Sequence, residues 1–70
     1  MATDDEAKLK ILLNHWIEHN KEHSEEFTQW ALKAKAHGNA KTHNHMIKAV
    51  QQMDKANESL LAALESLKEK

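Results

Sequence analysis

Apolar residues in the first half of the chain recur at Leu9, Leu12, Leu13, Trp16, Phe27, Trp30 and Ala34, in steps of three and four around one gap. Those steps fit a 3.6-residue period and predict an amphipathic helix; no alternation supports a strand. Thr3 with Glu6 three residues on is a capping-box pattern, and Asp4, Asp5 and Glu6 suit the positive end of a helix dipole. Lys33, Lys35 and His37 precede Gly38, the one glycine, which fits the left-handed position just past a helix end. A second stripe of Met46, Val50, Met53, Asn57, Leu60, Leu64 and Leu67, widened by Ile47 and Leu61, predicts another helix, with Asn39 or Thr42 as its cap. The expectation is a single all-α domain over residues 1–70: helix 1 over about 4–37, a turn over about 38–41, and helix 2 over about 42–68.

Two helices joined by so short a loop form an antiparallel hairpin. With the loop centred on Gly38 and Asn39, facing residue numbers sum to about 77, which sets Leu13 near Leu64, Trp16 near Leu61, Phe27 near Val50, Trp30 near Ile47 and Asn20 near Asn57. Both stripes have a polar hole. Glu18 to Glu26 contains no apolar side chain, and Asp54 to Ser59 contains only Ala56. Folding about Gly38 brings the holes together, so Asn20, His23, Asp54 and Asn57 are expected to form a polar layer that fixes register, because buried polar groups require partners.

A lone hairpin leaves much of both stripes wet, and 70 residues is near the lower limit for a self-sufficient core. A two-fold homodimer, closing a four-helix bundle, covers the same patch on both copies at once and is the expected assembly; another protein is the remaining candidate partner. Disulfides and thiolate metal sites are excluded because the chain has no cysteine. Ten basic residues are interspersed with eleven acidic ones for a net charge of −1, which offers no nucleic-acid footprint. No apolar run is long enough for a membrane span, and the acidic start has no secretion-signal pattern, so the expected location is cytoplasmic.

Six histidines are the compositional outlier; protonating all of them would move the charge from −1 to +5 and make the surface acid-sensitive. His15, His19 and His23 stand four residues apart on helix 1, climbing from the flank of the stripe towards its centre. Neighbours in this ladder can chelate one ion, whereas His15 and His23, about 12 Å apart along the axis, cannot share it. A metal reading therefore uses His19 and His23, or His15 and His19, with a carboxylate from Glu22, Glu26, Asp54 or Glu58, and suits nickel, zinc or copper. The alternative is that His15 and His19 pair with Glu18 and Glu22 in solvent while His23 is a hydrogen-bonded core residue. His37, His43 and His45 decorate the turn. No Glu-x-x-His, His-Glu-x-x-His, glycine-rich phosphate loop or nucleophile elbow occurs, so no enzyme and no catalytic residue is expected.

The run from His15 to Trp30, His-Trp-Ile-Glu-His-Asn-Lys-Glu-His-Ser-Glu-Glu-Phe-Thr-Gln-Trp, followed by Met53 to Glu58, resembles a small uncharacterised helical-hairpin domain of bacteria and archaea. His15, His19, Asn20, His23, Phe27, Trp30 and Asn57 correspond to its recurring positions. That family often follows histidine-rich tracts in proteins presumed to handle nickel or similar metals. No histidine precedes Leu9 here, so the resemblance implies the bundle rather than metal storage or delivery. The function expected from all of this is that of a non-enzymatic homodimeric interaction or accessory module, with transition-metal binding as the alternative.

Overall fold

The computed structural model describes residues 3–69. Two helices, α1 (Asp4–Ala36) and α2 (Ala40–Lys68), lie side by side as a rod of 56 × 14 × 11 Å. The local chemistry sets the ends. Thr3 Oγ1 accepts a hydrogen bond from the Glu6 amide at 3.0 Å, capping one of the free donors of the first turn. At the other end, the Asn39 amide donates to the Ala34 carbonyl at 2.9 Å and the Gly38 amide to that of Lys35 at 3.0 Å. This is a Schellman closure, and it places Gly38 at φ +84°, where a side chain would be strained. The turn is thus tighter than expected: α2 starts at Ala40 rather than at 42, after Asn39, whose side chain makes no capping bond. Among the described residues no helix is long and apolar enough to cross a membrane.

The residues that α1 turns towards α2 are Glu6, Lys10, Leu13, Ile17, Asn20, Ser24, Phe27, Ala31 and Ala34, all buried or half-buried. On α2 the corresponding set is His43, Met46, Val50, Met53, Asn57, Leu60, Leu64 and Leu67. Both sets alternate steps of three and four without a break, the heptad pattern of a two-stranded coiled-coil seam. Leu13, Ala31 and Leu64 are its fully buried apolar members, at 4%, 0% and 2% exposure. The predicted α2 stripe is this seam. The predicted α1 stripe is not one surface: Leu13, Phe27 and Ala34 belong to the seam, whereas Leu9, Trp16 and Trp30 occupy one row beside it and stay exposed, the tryptophans at 42% and 56%.

The rows beside the seam form two flanks. Ser24 Oγ donates to Asp54 Oδ1, and an open groove of about 530 Å³ is walled by Lys21, Thr28 and Asp54. The α2 row of Ile47, Asp54 and Leu61 therefore shares a side with Lys21 and Thr28, the lysine flank. The opposite side, the tryptophan flank, joins Leu9, Trp16, His23 and Trp30 of α1 with Ala49, Ala56 and Ala63 of α2. Trp16 and Leu61 are thus at one height but on opposite sides, as are Trp30 and Ile47, which corrects two of the expected pairings.

Candidate functional site

Midway along the seam, Asn20 Nδ2 donates to Asn57 Oδ1 at 3.0 Å, and Asn57 Nδ2 donates to the Ile17 carbonyl at 3.1 Å. Both amides are half-buried, so each bond replaces water that the packing excludes. The Ile17 carbonyl is available because a helix carbonyl accepts a second bond through its other lone pair. Asn20 and Asn57 sum to 77, the expected register.

The other two members of the expected layer sit elsewhere. Asp54 is exposed on the lysine flank and meets Ser24, at a long 3.5 Å, rather than His23. His23 is half-buried on the tryptophan flank. The layer contains the asparagines and, at the next seam position four residues on, buried Ser24, whose carbonyl accepts from Thr28 Oγ1 at 2.8 Å. Ser24 was not anticipated in the core. Counting by three and four across the polar gap from Asn20 lands on Ser24, Phe27 and Ala31, and that count was the available signal.

The histidine ladder is assembled by helix geometry. Ring centroids of His15 and His19 are 5.7 Å apart, those of His19 and His23 4.4 Å with an edge-on approach, and those of His23 and Phe27 5.7 Å. His19 Nε2 and His23 Nε2 are 2.8 Å apart. Two such nitrogens share one proton only if at least one ring is neutral and accepts. The expected pairing of His15 with Glu18 and of His19 with Glu22 is not formed among the described residues; the rings contact one another instead.

Of the candidate carboxylates, Asp54 and Glu58 fall on the lysine side of α2, and Glu22 on the outer face of α1. Glu26 alone shares the tryptophan flank with His19 and His23. Among the described residues, no three His, Asp or Glu side chains converge as a metal cage would require. Near the turn, a ring nitrogen of His43 meets Asn44 Oδ1 at 3.0 Å, while His45 points to another side.

The two flanks differ in charge. On the tryptophan flank, Glu26 is the single carboxylate or ammonium group on α1 between Leu9 and Trp30, and the α2 rows beside it, from Thr42 to Ser66, contain none. The lysine flank has Lys21, Glu25, Asp54, Glu58, Glu65 and Lys68. At the edge of the tryptophan flank, Lys33 Nζ lies 4.3 Å from the Trp30 ring centroid, a cation–π contact.

A family model described as a domain of unknown function (DUF8180) matches residues 9–67. No curated protein and no solved structure matches the chain.

Proposed function

The chain belongs to the DUF8180 family, and from that premise and the geometry above we propose that it is a self-associating helical hairpin, an interaction or accessory module whose tryptophan flank binds a second copy to close a four-helix bundle. The observation that carries this reading is the flank itself: Leu9, Trp16 and Trp30 are exposed beside alanines, on a side almost free of charge. Large apolar side chains left in water on one side favour an interface there. Tryptophan is among the residues that supply most binding energy when buried at the centre of a contact.

Area supports a second copy as the occupant. A compact monomer of 8.0 kDa exposes about 4,450 Å². The hairpin exposes 5586 Å², an excess of about 1,100 Å². A standard interface removes roughly 800 Å² from each partner, so one dimer contact accounts for most of the excess.

Sedimentation equilibrium of the chelator-treated chain tests the reading. The expected result is a 16 kDa species, about twice the 8.0 kDa chain, at micromolar concentrations. A chain that stays monomeric at about 100 μM, a Kd weaker than roughly −5.5 kcal/mol of association, overturns it.

A further inference from the structure

The centre of the tryptophan flank is not apolar. His19 and His23 interrupt it, with Nε2 atoms 2.8 Å apart and no third ligand among the described residues of their own chain. A self-associating flank has to do something with these imidazoles, since burying them against apolar groups leaves polar nitrogens without partners.

The order of residues along α1 indicates what they meet. Reading outwards from the midpoint of His19 and His23 along the flank rows, Leu12 and Trp30 stand nine residues to either side. A two-fold axis lying in the interface and crossing α1 at this height sets Leu12 against Trp30, and His19 against His23, of the second copy. The two α1 helices then run antiparallel, and the alanine rows of the two α2 helices face each other. The competing two-fold, parallel to the helices, lays the imidazoles on the Ala56 row and strands their nitrogens.

We propose that His19 and His23 from two chains together form a four-imidazole site for one divalent transition ion of the zinc, nickel and copper type. The site rests on the self-association reading and is incomplete without the second copy. Neutral imidazole is the preferred nitrogen ligand for these ions, and a tetrahedral zinc site takes four such donors. Zinc–nitrogen bonds of about 2.0–2.1 Å set neighbouring nitrogens about 3.3 Å apart in a tetrahedron. The observed pair needs to open by only about 0.5 Å, which small rotations of side chains at an exposed edge supply. The site needs no carboxylate, so the positions of Asp54 and Glu58 on the other flank do not matter to it. His15, on the outer face of α1, takes no part.

Titration of the untagged, chelator-treated chain with zinc by calorimetry, alongside sedimentation, decides the matter. The expected result is one ion per two chains with micromolar or tighter affinity, falling at least about 100-fold in His19→Ala and in His23→Ala and unchanged in His15→Ala. Cobalt(II) in the same site should give the intense visible absorption of a tetrahedral nitrogen set. One ion per chain, binding that survives His23→Ala, or no uptake overturns the site. A dimer that takes up no ion overturns the site and leaves self-association standing. A chain that dimerises only on addition of half an equivalent of zinc supports the site and overturns ion-free self-association, and a chain that stays monomeric throughout overturns both.

Discussion

The two flanks of the hairpin are built on one seam yet answer to different surroundings. The lysine flank alternates Lys21, Glu25, Asp54 and Glu58 over an open groove, and it leaves no large aromatic side chain in water. The tryptophan flank presents Trp16 and Trp30 with one glutamate between them. Charged groups lose most of their hydration on burial and are depleted from interface centres, whereas indole gains from leaving water. The two sides of one helix pair therefore differ in charge and aromatic content, although the lysine flank also leaves Leu61 49% exposed.

The sharpest way to break this contrast is to place a charge on each side in turn. Trp16→Glu puts two carboxylates into the two-fold contact, one from each copy, and should weaken dimerisation at least about 100-fold, a loss of roughly 2.7 kcal/mol or more. Leu61→Glu, at the same height on the lysine flank, should leave the sedimentation profile as it is. Equal losses for the two variants would mean that both sides are covered, and equal indifference that neither is. Helicity by circular dichroism should be retained in both, because each position is exposed in the hairpin.

The seam between the flanks is tested by its amides. Asn57→Ala removes the acceptor for Asn20 and the donor to the Ile17 carbonyl, leaving a half-buried amide unsatisfied at a cost of about 1–3 kcal/mol. For a domain of this size that corresponds to a fall in Tm of roughly 4–8 °C per kcal/mol. Replacing both residues, Asn20→Leu with Asn57→Leu, should recover or exceed the original Tm while allowing more than one register or assembly. A double variant that melts as low as the single one would show that the amide pair contributes more than its own partnering.

Much of this was legible in the residues. Thr3, Glu6 and Gly38 mark the ends of α1 because capping is local chemistry, and the loop at Gly38 then fixes Asn20 opposite Asn57 by counting alone. The α2 stripe is legible because its heptads contain uninterrupted apolar residues from Met46 to Leu67 apart from Asn57. The α1 stripe is not, for a physical reason: a helix expected to be covered on two sides has apolar residues on both, and hydropathy does not say which cover each one meets. Leu13 and Trp16 look equivalent along the chain, yet one lies 4% exposed in the seam and the other on the flank. Ser24 and Ala31 are hard to place from the sequence because small side chains carry little hydropathy signal, although close approach of the helices favours them. Asp54 and His23 separate for the same reason, since only the seam positions reveal which side a neighbouring row falls on.

Ser24→Ala should have the smallest effect. Ser24 is 7% exposed, but the bond from its hydroxyl to Asp54 is 3.5 Å long, at the limit of what counts as a hydrogen bond, and Asp54 is open to water that can replace it. The substitution removes both the buried hydroxyl and the demand for its partner, gains a better helix former, and leaves the Thr28 bond intact because that bond uses the Ser24 carbonyl. The expected change in stability is within about 0.5 kcal/mol, read as a Tm shift of no more than a few degrees and an unchanged dimer. A loss above about 1.5 kcal/mol would instead tie Asp54 to the seam through Ser24, and would make the centre of the lysine flank part of the packed structure rather than its wet side.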